Sequence, residues 1–205
     1  MKKVIMLLIV GLLIFNLCGC GENKASQNSD ASQNVSSSFV PPKYVEIDAD
    51  AARNAALKYI EDSYKLALKS GYETLWSEKT AISKETPTYD PYGNVNGYIY
   101  HLKNDDTSAG YVQVFCFDDF IRAVSSSFGD LELDKMFERF DKAAQTDDRL
   151  KNFDKTKILY VGSIELWIKS PDGAVYGLKS GDYSDPGSIE LIFYEQYEAL
   201  KNNMR

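Results

Sequence analysis

Histidine is almost missing from this 205-residue chain: His101 is the sole example, and cysteine occurs only at positions 18, 20 and 116. That scarcity excludes most metal and nucleophile chemistry. Zinc sites draw on paired cysteines or on histidines at short spacing, and neither pattern occurs. There is no Gly-rich phosphate loop and no G-x-S-x-G elbow. The acidic loops "NDDTSAG" (104–110) and "GDYSDPG" (181–187) lack the alternating register of a calcium loop. Excess positive charge is lacking as well. At a formal net charge of -7, the chain has no electrostatic reason to bind nucleic acid or to lie on anionic lipid. No cofactor and no metal are implied.

What is present begins at the N-terminus. Lys2 and Lys3 precede an apolar run, residues 4–17, broken only by Gly11 and Asn16. A spanning helix needs roughly 20 apolar residues, whereas an export signal needs a core of about 7–15. The run therefore reads as a signal rather than an anchor. It ends in "LCGC", which resembles the bacterial lipobox, where small residues precede a cysteine that is acylated and becomes the new N-terminus. Cys20 has Gly19 directly before it and Leu17 three before it; Cys18 follows a bulky Leu17 and fits poorly. Residues 1–19 are thus expected to be a lipoprotein signal peptide, with Cys20 as the lipid attachment site. Losing the two lysines would leave the exported part near a charge of about -9, so lipid rather than charge would hold it at the membrane. Cys116 would then be the remaining free thiol, and no intrachain disulfide could form.

Residues 20–42 are rich in Ser, Asn and Gln and close on Pro41 and Pro42. Such a linker would hold the following domain about 25 Å from its attachment point. From Asp48 the pattern changes. Ala52, Ala55, Ala56, Tyr59, Ile60, Tyr64, Leu66 and Leu68 recur mostly at helical intervals, with Asp48 or Asp50 as N-cap and Gly71 as C-cap, predicting an amphipathic helix over 49–69 that covers a sheet. Residues 72–129 alternate β-branched and aromatic runs with Gly, Asn, Pro and Asp, the signature of an antiparallel meander. A second helix follows within 130–153, with Leu133, Met136, Phe137, Phe140 and Ala144 on one stripe. Up to three short strands come next, around a Pro171-Asp172-Gly173 turn. The last segment reads as a helix with Ser188 as N-cap, although "IELIFY" (189–194) also suits a strand. The expected architecture is a single α+β domain over 43–205, an antiparallel sheet packed against two or three helices.

The quoted wording of residues 48–130, "AARNAALKYI", "PTYDPYGNVNGYIYHL", "GYVQVFCFDD" and "IRAVSSSF", resembles the pro-domain-like module of streptopain-type and C39-like cysteine peptidases of Gram-positive bacteria. In that family a catalytic domain with a nucleophilic Cys and a later His follows the module. Here about 75 residues follow Asp130, and they hold neither residue. The resemblance therefore implies the module without its enzyme.

A Cys116–His101 pair does not rescue catalysis. If the 104–110 loop closes a hairpin, His101 falls opposite Val112, and Cys116 lies roughly 13 Å away along the strand; a working dyad needs about 3 Å. Neighbouring carboxylates, Asp118 with Asp119 and Asp147 with Asp148, alternate faces on a strand and are expected to be solvated. Tyrosine is plentiful, 14 in all, and Tyr89, Tyr92, Tyr98, Tyr100 and Tyr111 crowd into the meander. Tyr89 precedes the "DPYGN" turn (90–94) and Tyr92 lies in it, and the turn is expected to project them outward as candidate partner-binding residues.

The functional expectation is a non-enzymatic, lipid-anchored protein on the extracytoplasmic face of the membrane, with a module that binds a protein or peptide partner, a cysteine peptidase that it binds or inhibits in particular. The alternative is a surface lipoprotein that binds a small molecule or glycan beside a transporter. The lipobox reading has a direct check. Cys20→Ser should abolish incorporation of labelled fatty acid and leave unprocessed precursor or shed protein, whereas Cys18→Ser should change neither. A Cys20→Ser chain that is still acylated would overturn the assignment.

Overall fold

The computed structural model describes residues 47–203, apart from 118, 119, 128, 162–164 and 186. The signal, Cys20 and the 20–42 linker lie outside the described residues, as do Asp118 and Asp119. The described residues all belong to one compact unit.

Helix α1, Ala49–Ser70, is bounded as its sequence dictates. The Asp48 carboxylate accepts from the backbone N–H groups of Asp50 and Ala51 at 2.9 and 3.2 Å, meeting donors that have no partner within the helix. Gly71 ends it at φ 69°, where a side chain would be disfavoured. Four antiparallel strands follow: β1 (Thr80–Tyr89), β2 (Val95–Asn104), β3 (Thr107–Phe117) and β4 (Phe120–Ser127). Then come α2 (Leu133–Ala144), a 3-10 turn at Asp148–Leu150, and the short strands β5 (Asp154–Leu159), β6 (Trp167–Lys169), β7 (Val175–Gly177) and β8 (Tyr183–Ser184). Helix α3, Ser188–Asn203, follows β8. The fold class is α+β, with all eight strands in one sheet of order β4-β3-β2-β1-β5-β6-β7-β8.

That order describes two meanders joined edge to edge. Only the join is parallel: Thr88 pairs with Ile158 and Tyr89 with Leu159. The Tyr160 N–H continues it by donating to the Tyr89 carbonyl at 3.0 Å. Side chains reinforce the same place. Buried Asn96 donates through Nδ2 to the Tyr160 carbonyl at 2.7 Å, and buried Thr88 donates to Asn96 Oδ1 at 3.3 Å. Next to Asn96, a Cβ on Gly97 would stand 2.4 Å from the Val114 carbonyl oxygen. Only glycine allows β2 and β3 to approach so closely there.

Strand alternation gives the first meander two buried faces. Tyr100, Leu102, Val112, Val114 and Cys116 point to one side, where Ala52, Ala56 and Ile60 of α1 and the loop residue Trp76 cover them. Ile99 and Phe115 point to the other and join a larger cluster with α2, the β5–β7 segment and α3. The expected α2 stripe is present: Leu133, Met136 and Phe140 are buried, and Phe137 and Ala144 pack against the cluster. In α3, Ile189 and Phe193 are buried and Ile192 and Tyr197 partly so.

Five expectations need correcting. The meander starts at Thr80, because 72–79 is an irregular return loop that inserts Trp76, whose Nε1 donates to the Ala109 carbonyl at 2.9 Å. The sheet is not wholly antiparallel, since β1 and β5 run in the same direction. The second half holds four short strands rather than three. The last segment is the helix that its pattern predicts, placing Ile189 and Phe193 one turn apart on the core side, but Ser188 is its first helical residue rather than its N-cap; the Gly187 carbonyl accepts from the Leu191 N–H at 3.5 Å. Finally, Leu66 and Leu68 do not cover the sheet. They are 63% and 61% exposed.

The join is testable through Asn96. Asn96→Ala leaves the buried Tyr160 carbonyl and Thr88 hydroxyl short of a partner, so it should lower unfolding free energy by about 1–3 kcal/mol in chemical denaturation. An unchanged midpoint would show that the two meanders hold together without this contact.

Candidate functional site

The tyrosine-bearing turn between β1 and β2 is built by Asp90. Its carboxylate accepts from the N–H groups of Tyr92 and Asn94 at 2.9 and 2.8 Å and from Asn94 Nδ2 at 2.9 Å. Pro91 presets the backbone, and Gly93 takes φ 90° where the chain re-enters β2. The turn is docked rather than free. Lys169 Nζ donates to the Pro91 carbonyl at 3.0 Å and to Glu190 at 2.9 Å, tying the turn to β6 and α3. Tyr92 is 42% exposed, with its ring edge-on to Phe193 at 6.4 Å. Partial burial, with Glu190 nearby, pushes its hydroxyl pKa up to about 12. Tyr89 does not project: it is half-buried against the core, with Lys157 Nζ 5.7 Å from its ring centroid. The expected outward display therefore holds in part for Tyr92 and fails for Tyr89, whose backbone is committed to the join.

The other tyrosines of the meander do not gather into one surface. Tyr98 and Tyr100 stack at 5.8 Å on the α1 side, and Tyr111 packs on the opposite side. Alternation along the strands separates residues that are crowded in the sequence.

His101 and Cys116 are separated in the same way. The turn between β2 and β3 has only two residues, with Asp105 at φ 51°, so the pairing shifts by one from the expected register: Tyr100 lies opposite Val112 and His101 opposite Tyr111. A glycine-bearing irregularity between Leu102 and Lys103 absorbs the extra residue. Cys116 faces α1 with Val112 and Val114, and its strand parity is opposite to that of Tyr111, the partner of His101. Burial pushes the thiol up to about 12, so it stays protonated near neutral pH. His101 is shifted the other way. Burial is the largest cause and Lys84 adds repulsion, partly offset by Asp130 and Asp134, so the imidazole sits below its ordinary value of 6.5.

The paired acidic residues are used locally. Asp147 accepts from the Arg149 backbone at the start of the 3-10 turn and binds its guanidinium, which holds the Asp147 carboxyl below the usual carboxylate range. Asp148 pairs with Lys151 at 2.5 Å. Among the described residues, no group of three or more His, Cys, Asp and Glu is placed to hold a metal ion.

The least expected surface is the far end of α1. Its buried residues, Ala52, Ala56 and Ile60, lie in the first three turns, and the helix then continues for ten residues to Ser70. Leu66, Leu68, Tyr72 and Leu75 are 63%, 61%, 69% and 52% exposed. Half of the strongly exposed large apolar side chains among the described residues thus lie within one ten-residue stretch. The helical pattern concealed this, because apolar spacing alone does not reveal where the covered sheet stops.

No family model, curated protein or solved structure matches the chain.

The His101 shift has a definite sign. As pH falls through about 6.5, the unfolded chain takes up a proton that the folded chain resists, so stability drops and then levels off below the folded-state pKa. Between about pH 7.5 and 5.5 the thermal midpoint of the parent chain should fall further than that of His101→Gln. Parallel profiles would show that this imidazole is not the source of the dependence.

Proposed function

We propose that this is a non-enzymatic protein, held by an N-terminal lipid at the extracytoplasmic face of the membrane, whose α+β domain captures a polypeptide partner. The resemblance of residues 48–130 to a peptidase pro-domain module suggests the partner class, a cysteine peptidase that is bound or inhibited. The observation that carries the reading is the exposed apolar end of α1. Exposed large apolar side chains on a folded domain favour a contact that removes them from water, at roughly 25 cal/mol for each Å² buried.

Lys69, Glu73, Glu78 and Lys79 are exposed around Tyr72 and Leu75, and charges of both signs beside apolar side chains suit the polar rim of a protein interface. Tyr92 is the weaker candidate, since part of its ring already packs on Phe193 and its turn is fastened by Lys169.

The discriminating experiment is capture from the native cell surface with the parent chain, a Leu68→Ser/Tyr72→Ser double variant, and Tyr92→Ala. The double variant should retain at most about a tenth of the captured partner while its thermal midpoint stays close to that of the parent, because the replaced side chains are exposed. Tyr92→Ala should lose less. Undiminished capture by the double variant would remove the α1 end from the interface, and selective loss with Tyr92→Ala would move the interface to the turn.

A further inference from the structure

A cleft of about 520 Å³ opens beside His101, between the rungs of β1–β3 that carry Lys84, His101 and Lys103 and the 130–135 segment that leads into α2. It is unlike the α1 end in chemistry, because charges of both signs line it. Some are already engaged: Glu132 pairs with Lys135, and Asp130 accepts from the Ser108 hydroxyl. Lys84, Lys103, Asp106 and Asp134 belong to none of the ion pairs among the described residues.

Two further features concern hydrogen bonding. The Glu132 side chain does not cap the 12-residue α2, and the Leu133 N–H turns back to the Leu131 carbonyl at 2.8 Å. His101 Nε2 is buried and has no hydrogen-bond partner. A buried ring nitrogen without a partner is costly, and here it belongs to a residue that lines the cleft.

We propose that this cleft binds a small dipolar ligand of the α-amino-acid or short-peptide type, carrying one carboxylate and one ammonium group. Lys84 and Lys103 favour the carboxylate, while Asp106 and Asp134 favour the ammonium. A simple anion would meet the two carboxylates and a simple cation the two lysines, so the mixed lining selects a ligand with both charges over a ligand with either alone. The volume lies within the range of small-molecule sites. This inference does not depend on polypeptide capture at α1, which lies on the other covered face of the meander.

The lone histidine supplies the readout, since its imidazole resonances in proton NMR are unique in the chain. The full chain in detergent micelles is titrated with alanine and with dialanine, and in parallel with acetate and with ethylamine. At least one dipolar probe should shift the His101 resonances saturably with a Kd of about 1 mM or tighter, and acetate and ethylamine should each bind about tenfold more weakly or worse. Lys84→Met and Asp134→Asn should each weaken the dipolar probe about tenfold with the thermal midpoint unchanged, both side chains being exposed. No shift up to about 10 mM of either dipolar probe would overturn the proposal. So would acetate or ethylamine binding as tightly as the dipolar probe, or binding that ignores both substitutions.

Discussion

The parallel pairing of Thr88 and Tyr89 with Ile158 and Leu159 is the contact on which the rest of the structure depends. Each meander can form from hairpins between neighbours in sequence, but one sheet results only if β1 accepts β5 along its free edge. The paired stretch is very short, and side chains compensate. Asn96 holds the Tyr160 carbonyl, and Thr88 holds Asn96, inside a region closed to water. Polar groups buried in this way specify geometry, because any slip of register would leave several of them without partners. The apolar layers of the two halves become continuous once the join is made.

With the join in place, the molecule is firm at its centre and offers its chemistry at the periphery. The groups that could have been reactive are quiet: the Cys116 thiol is held protonated by burial and faces α1, while the imidazole is held neutral on another part of the sheet. Many of the carboxylates serve structure. Asp48 begins a helix, Asp90 shapes a turn, and Glu165 accepts from the backbone N–H groups of Leu166, Lys179 and Ser180 at 2.9, 2.7 and 2.9 Å, bracing the segment around β7. What remains for interaction is an apolar helix end and a polar cleft.

Much of the fold could be read from local signals. The Asp48 and Gly71 caps, the Pro-Tyr-Gly turn after Asp90 and the apolar stripe of α2 each act over a few residues, and each is where the residue pattern predicts. Long-range features were not legible. Nothing near Thr88 announces a partner about 70 residues later, since parallel pairing leaves no turn signature. The exposure of Leu66 and Leu68 depends on where the sheet beneath α1 ends. The fate of the tyrosines depends on strand parity, and a single-residue change of register moves His101 from opposite Val112 to opposite Tyr111. The candidate surfaces were obscured for the same reason, because a helix end and a cleft are assembled by tertiary packing.

The two covered faces of the first meander also imply an order of assembly. Helix α1 is adjacent in sequence to the strands it covers, so that side can close while the later residues are still unstructured. The other side waits, with Ile99 and Phe115 open to solvent, until the segment running from α2 to α3 has collapsed onto it. Contacts of such long sequence separation form slowly. During that interval the half-built sheet leaves apolar surface open to water. The maturing polypeptide is most vulnerable to proteolysis and clumping at this stage, before its last third arrives.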